Sequence, residues 1–213
     1  MYKYALFDMD GTVLDTLQDL TDAVNHTLAE YGYPLISTDT CAKNLGNGAR
    51  QLLTLSAPDG ADIDLMLQNY LPYYNSHCLI KTGPYAGIPE LMKELGETGV
   101  RCAIISNKPD AATAELGERF FKGLVDYCVG EKPGINRKPA PDTVLSAMDY
   151  FEAGRKDCVY IGDTEVDIIT AKNSGIDCIA VSWGFRSEDE LKESGAECVV
   201  HSVSELRDKI VNG

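Results

Sequence analysis

The chain has no apolar run approaching the roughly 20 residues of a membrane-spanning helix, no internal repeat and no low-complexity segment. Behind Met1-Tyr2-Lys3-Tyr4 comes a short strand pattern carrying two aspartates. The uninterrupted apolar stretch of a secretory leader is therefore missing, and a cytoplasmic protein is expected. Positive charge is also scarce: 19 Lys plus Arg against 33 Asp plus Glu leave a net charge of −14, and no basic patch is concentrated locally. Long-range repulsion of polyanions then excludes nucleic acid and anionic membrane as expected partners. Seven cysteines are present but no CxxC pair. Cys41, Cys78, Cys102, Cys128, Cys158, Cys178 and Cys198 stand singly, and their number is odd. Neither a zinc site nor a disulfide framework is expected. Cys102, Cys128, Cys158 and Cys178 lie in short apolar runs, where a thiol acts as a small hydrophobe.

What remains is an ordinary globular composition, 44% apolar and 24% charged over 213 residues, enough for one domain or one domain with a sizeable insertion. From residue 100 onward short apolar runs alternate with helical stretches. Val100 to Ile105, Val125 to Val129, Cys158 to Ile161, Cys178 to Val181 and Cys198 to Val200 read as strands. The intervening helical stretches begin at Asp110, Pro141, Glu165 and Glu188, and a last helix follows from Val203. Apolar runs without polar alternation suit strands covered on both faces, with the helices as crossovers, so the expected fold is α/β, a doubly wound parallel sheet. Tyr4 to Phe7 is a further such strand. Between it and residue 90 the texture differs, with amphipathic helix patterns from about Leu17 to Ile80, as in Leu20-Ala23-Val24-Thr27-Leu28 and Leu65-Leu67-Tyr70-Leu71-Tyr74. The expected organisation is a core of residues 1–15 and 82–213 with a helical insertion at 16–81, hinged at Leu14-Asp15-Thr16 and Lys81-Thr82-Gly83-Pro84.

In an open parallel sheet ligands bind beyond the carboxyl ends of the strands. The residues there are polar: Asp8-Met9-Asp10-Gly11-Thr12, Ser106-Asn107-Lys108, Arg137-Lys138-Pro139-Ala140-Pro141-Asp142, and Gly162-Asp163-Thr164-Glu165-Val166-Asp167. Asp8, Asp10, Asp163 and Asp167 would meet on one rim. Such a group repels itself unless a cation or raised pKa values relieve it, and an all-oxygen donor set suits a hard divalent ion, Mg²⁺, and through it a phosphorylated substrate. Lys138 and Lys108 offer positive charge, and Ser106 and Asn107 hydrogen-bond donors, to the phosphoryl oxygens. Asp8 can attack phosphorus and Asp10 can act as general acid and then base. Gly11 permits a sharp turn, so that the amides around Met9 and Asp10 can form an anion nest.

Phe7-Asp8-Met9-Asp10-Gly11-Thr12-Val13-Leu14-Asp15-Thr16 resembles the first motif of the haloacid dehalogenase superfamily in its phosphatase form. Ser106-Asn107-Lys108, Lys138-Pro139-Ala140-Pro141-Asp142 and Gly162 to Asp167 resemble the second, third and fourth motifs, in order. The resemblance implies Asp8 as nucleophile, Asp10 as acid and base, Ser106 and Lys138 as holders of the phosphoryl group, and Mg²⁺ on Asp8, the Asp10 carbonyl and Asp163, supported by Asp167. It also implies that the insertion is a small helical cap closing over the substrate. Within the superfamily the chain is similar to the phosphoglycolate phosphatase group, through Asp19-Leu20-Thr21-Asp22-Ala23-Val24-Asn25, the turn Leu45-Gly46-Asn47-Gly48-Ala49-Arg50, Tyr73-Tyr74 with His77, and Thr82-Gly83-Pro84-Tyr85. Where many members have Pro-Tyr-Pro-Gly this chain has Pro84-Tyr85-Ala86-Gly87. The implied enzyme is a phosphoric monoester hydrolase for a small metabolite such as 2-phosphoglycolate, as a monomer or homodimer.

Plainer readings stand beside these. Asp-Gly is a common turn pair, a lysine beside proline is commonly a solvated loop residue, and Ser106 suits a helix N-cap. Asp163 and Asp167 also favour a helix N-terminus, and Gly48 with Arg50 reads equally as a substrate contact or as a loop. His26, His77 and His201 lack metal-ligand spacing, Trp183 suits packing at a strand exit, and the tyrosines from Tyr70 to Tyr74 suit helix packing. Within the same chemistry the rivals are an inorganic pyrophosphatase or a 5′-nucleotidase. A phospho-aspartate receiver domain is a rival of another class, disfavoured because its acceptor follows a later strand and its fold calls for no helical insertion.

Overall fold

The computed structural model describes residues 1–212. Strand β1 (Tyr4–Phe7) leads through a two-residue strand, β2 (Leu14–Asp15), into four helices, α1 (Leu17–Glu30), α2 (Thr38–Asn44), α3 (Gly48–Ser56) and α4 (Ile63–His77). Strand β3 (Gly83–Pro84) ends this excursion, and α5 (Ile88–Glu97), β4 (Arg101–Pro109), α6 (Asp110–Phe121) and β5 (Tyr127–Glu131) follow. The chain finishes with α7 (Asp142–Phe151), β6 (Cys158–Gly162), α8 (Glu165–Ser174), β7 (Asp177–Val181), α9 (Glu188–Glu193), β8 (Val199–Val200) and α10 (Val203–Asn212). Six strands form one sheet in the order β5-β4-β1-β6-β7-β8, and every pair in it is parallel.

The apolar runs explain this sheet. Successive strand side chains point to opposite faces, so a strand without polar alternation needs cover on both. Ala5 and Phe7 of β1 face a core closed by Leu91 and Leu95 of α5, Leu116 of α6 and Leu206 of α10. Leu6, between them, faces a second core with Val144 and Phe151 of α7 and Ala171 of α8. Full burial of each such large side chain contributes about 1.5–3 kcal/mol. The order reverses at β1, which is entered first yet lies in the middle. The crevice beside its carboxyl end is the topological switch point at which such sheets bind ligands.

The four helices between β2 and β3 pack on one another. Leu20, Val24 and Leu28 of α1, Leu52 and Leu53 of α3 and Met66, Tyr70 and Tyr74 of α4 make a cluster of their own, joined from the rest of the chain by Ala112 and Phe185. The two segments expected as hinges lie side by side: Leu14 pairs with Pro84 and Asp15 with Gly83 in an antiparallel ribbon. No helix among the described residues is long and apolar enough to cross a membrane.

Three local expectations are corrected. Strand β4 does not stop at Ile105 but continues through Ser106-Asn107-Lys108 to Pro109, which pairs with Glu131 beyond a register shift. Strand β5 starts at Tyr127 rather than Val125, because the amides of Leu124 and Val125 turn back to the Phe121 carbonyl and close α6. Helix α5 has no counterpart in the sequence reading, although Pro89 in its first turn and Leu91, Met92 and Leu95 on one face carry its signal.

Candidate active site

The turn after β1 is wound tightly around one carbonyl. The amides of Thr12, Val13 and Leu14 all reach Met9 O, at 3.4, 3.1 and 3.0 Å, and Gly11 N donates to Leu14 O at 2.9 Å. Gly11 has φ 85°, and a Cβ there would lie 2.3 Å from Asp163 Oδ2, so both backbone and space demand glycine. The Met9 side chain is wholly buried in the core, which leaves only its backbone for a ligand. Asp8 and Asp10 are thereby presented on the same turn in different surroundings.

Asp8 is buried. Its Oδ1 accepts from Lys138 Nζ at 2.6 Å, and the same ammonium donates to Asp167 Oδ1 at 2.8 Å and to Tyr160 Oη at 2.9 Å. Burial pushes the Asp8 carboxyl up to about 7. Lys138 opposes that rise, and the neighbouring charges of Asp167 and Asp10 add to it. For Lys138 burial disfavours the charge, but Asp167 and Asp8 outweigh it and hold the ammonium well above its ordinary range. Asp163 is also driven well upward, by burial first and then by Asp167 and Asp8, although Thr12 Oγ1 and Phe185 N donate to its two oxygens at 2.8 and 2.7 Å.

Asp167 has both oxygens engaged. Oδ1 takes Lys138, while Oδ2 accepts from Thr164 N at 3.1 Å, Thr164 Oγ1 at 2.8 Å and Asp163 N at 3.3 Å, capping the first turn of α8. The plain reading of Asp167 as a helix-terminus residue therefore holds, and the same side chain also binds Lys138. One oxygen each of Asp8, Asp163 and Asp167 lies within 4.8 Å of the others. Three buried carboxylates against one lysine, with oxygen the only donor type, fit a hard divalent ion. Asp8 and Asp163 have the spare lone pairs for it.

Asp10 is partly exposed to a cavity of about 40 Å³, a few times the roughly 10–15 Å³ that one water needs. Its Oδ1 is buried without a hydrogen bond, although Lys108 Nζ lies 2.9 Å away as a charge contact out of hydrogen-bond alignment. Lys108 also donates to the hydroxyl of Tyr74 on α4. Ser106 lines the cavity, its Oγ accepting from Lys108 N at 3.1 Å. Asn107 ties three segments together, Nδ2 donating to Lys138 O at 2.9 Å and to Gly46 O at 3.0 Å.

The structure thus brings Asp8, Asp10, Ser106, Asn107, Lys108, Lys138, Asp163 and Asp167 together, with Gly48 on the cavity wall. It does not bring Arg50. Helix α3 starts at Gly48, and at about 100° per residue the second position beyond turns to the far side. There Arg50 pairs with Asp64, away from the cavity. Sequence reasoning took Tyr74 for helix packing and gave Tyr160 and Phe185 no role in the site. It also missed Arg186, whose guanidinium holds Glu165 at 2.8 Å and donates to the carbonyls of Ala42 and Leu45, each at 2.9 Å. A lone arginine in a loop gives no sequence signal for such a role. Trp183 does sit at a strand exit, its Nε1 donating to Thr12 O at 3.1 Å.

The family model for haloacid dehalogenase-like hydrolases matches residues 5–181. Similar curated proteins include the phosphoglycolate phosphatase of Pseudomonas syringae pv. syringae, 30% identical, with 96% of this chain and 78% of that protein covered. That of Colwellia psychrerythraea is 29% identical, with 94% and 93% covered. Among solved structures, a candidate phosphoglycolate phosphatase from Lactobacillus delbrueckii subsp. bulgaricus is similar with a TM-score of 0.94 at 40% identity, over 98% of both chains. A match that starts in β1 and runs through β7 takes in every polar strand end just described, and the receiver-domain alternative falls away with it. The chain belongs to the haloacid dehalogenase-like hydrolase family and is a phosphatase within it.

Proposed function

We propose that the chain hydrolyses a small phosphomonoester, 2-phosphoglycolate, in a Mg²⁺-dependent reaction through an aspartyl phosphate on Asp8. The observation that carries this reading is a pair of unlike carboxyls on one turn. Asp8 is buried and hydrogen-bonded to Lys138, whereas Asp10 lines the cavity and its buried Oδ1 meets Lys108 Nζ only as a charge contact at 2.9 Å. Two acids in contrasting environments suit the separate tasks of nucleophile and proton carrier.

In the first half-reaction an Asp8 oxygen bonds to phosphorus, the bond from phosphorus to the leaving oxygen breaks, and Asp10 gives its proton to that oxygen. In the second, Asp10 takes a proton from water as the water oxygen bonds to phosphorus and the bond to Asp8 breaks. The amides around Met9 and Asp10 and the Ser106 hydroxyl hold the phosphoryl oxygens, while the Lys138 ammonium, whose three donors go to Asp8, Asp167 and Tyr160, holds Asp8 in place and adds positive charge beside them. When bound by Asp8, Asp163 and the Asp10 carbonyl, the divalent ion supplies positive charge that keeps Asp8 ionised and offsets the phosphoryl charge. Residues 16–81 act as the cap over a core of 1–15 and 82–213, excluding water. The names of the similar proteins support the substrate, and the small cavity supports a short leaving group over a nucleoside.

The test is phosphate release with Mg²⁺ from 2-phosphoglycolate, other small esters, pyrophosphate and nucleoside monophosphates, with Asp8→Asn as control. A preference for 2-phosphoglycolate and a dead variant are expected. Preference for pyrophosphate or a nucleotide would replace the substrate, and stable phosphorylation of Asp8 without turnover would overturn the hydrolytic cycle.

A further inference from the structure

The cavity wall opposite Asp8 comes from the helical insertion and is mostly apolar, with Leu20, Leu52 and Tyr70 among its residues. One cation reaches it. Lys138 is occupied by Asp8, Asp167 and Tyr160 and stays out of the cavity lining, whereas Lys108 is part of that lining. Lys108 and Tyr74 are 4% and 1% exposed, so their charge and dipole act in a largely dry setting.

Their hydrogen-bond capacity is unfinished. An ammonium has three N–H donors; one goes to the Tyr74 hydroxyl, and the 2.9 Å contact with Asp10 Oδ1 is one of charge rather than an aligned hydrogen bond. At least one donor therefore remains free. The Tyr74 oxygen, having accepted from Lys108, keeps its own proton to donate. The pair therefore offers two donors beside the Asp10 carboxyl. Under the function proposed above, on which this inference rests, Asp10 gives its proton to the leaving oxygen, so the atoms attached to that oxygen lie next to Lys108.

We propose that Lys108 and Tyr74 form the leaving-group subsite and select phosphomonoesters whose leaving group carries a carboxylate close to the bridging oxygen. A carboxylate brought against an apolar wall loses hydration, and a desolvated ammonium with a phenol beside it replaces that hydration with two charge-assisted bonds. An uncharged alkyl group leaves both of these buried donors unpaired. Discrimination by unpaired buried polar groups is stronger than any based on size alone. Lys108 thus acts on the leaving group, and Ser106 on the phosphoryl group.

The experiment compares kcat/KM for 2-phosphoglycolate and for ethyl phosphate in the wild type, Lys108→Gln and Tyr74→Phe. The wild type is expected to prefer the carboxylate ester. In Lys108→Gln the value for 2-phosphoglycolate is expected to fall about 30-fold more than that for ethyl phosphate, the scale of a lost charge-assisted bond, and in Tyr74→Phe by a smaller factor in the same direction. Equal losses on both esters would place Lys108 on the phosphoryl group or Asp10 and overturn the subsite. A second measurement needs no variant: glycolate should inhibit the wild type more strongly than ethylene glycol at equal concentration, and equal inhibition would overturn the proposal. Turnover of both esters without preference removes the subsite alone, whereas no phosphate release from any ester removes the function beneath it.

Discussion

Asp8 carries a proton at pH values where an ordinary aspartate has lost it, because its carboxyl is pushed up to about 7 from 3.8 by burial. The folded chain then binds that proton more tightly than the unfolded chain does. Between about pH 4 and pH 7 this group favours folding most at the acid end, and the contribution fades as pH rises through its folded value. Melting temperature in a chelator should therefore fall from pH 5.5 to pH 7.5, and excess Mg²⁺ should raise it more at the higher pH. A stabilisation by Mg²⁺ independent of pH would contradict the placement of Asp8 in the ion's site. At Gly11 the expectation is steric. Gly11→Ala puts a Cβ against Asp163 Oδ2 at a left-handed φ, and both melting temperature and kcat should drop, the activity by at least about tenfold.

At the level of elements, helix α2 ends against the core rather than in solvent. Its last carbonyls need partners from outside the helix. Arg186 supplies them, donating to Ala42 O and Leu45 O while Glu165, next to the Asp163-Thr164 loop, holds the guanidinium from the other side. Asn107 reaches Gly46 on the same turn. The turn that leads to Gly48 on the cavity wall is thus anchored to the loops bearing the acids. Arg186→Gln should loosen it, raising amide exchange over residues 45–49 by about tenfold or more, equivalent to about 1–2 kcal/mol of lost hydrogen bonding. Amides of β1 should stay as slow as in the unmutated protein. Exchange that rises equally in both would mean general destabilisation instead.

The same elements explain what the sequence made legible. Asp8 and Asp163 directly follow a strand, Asp10 and Asp167 lie just beyond, Ser106 sits in the last part of β4 and Lys138 in the loop after β5, so a one-dimensional pattern of apolar run and polar end locates them. Arg186 and Tyr74 act across the interface between insertion and core, which sequence order does not reveal. Tyr74 in addition sits at helical spacing with Tyr70, its ring stacked at 5.6 Å, and so looks like packing. Arg50 misled in the opposite direction. Its neighbourhood to Gly48 along the chain was real, and helical rotation undid it in space.

For the whole molecule the net charge of −14 opposes an anionic substrate at long range. The site itself gathers Asp8, Asp10, Asp163 and Asp167 against Lys108 and Lys138. Screening should relieve this, so kcat/KM at fixed Mg²⁺ should rise as KCl goes from about 20 to about 150 mM, where the Debye length shrinks to about 8 Å. A fall over that range would reveal local steering by cations that outweighs the global charge.

The ribbon of β2 and β3 has one more consequence. The chain leaves the core and returns to it on two paired strands, roughly 5 Å apart. Any segment whose own ends lie one strand spacing apart meets the same two attachment points, whatever its length or internal arrangement. The stretch between Asp15 and Gly83 is therefore a splice site, where a foreign segment of the same end spacing can be grafted in one piece while the strand order of the sheet stays as it was.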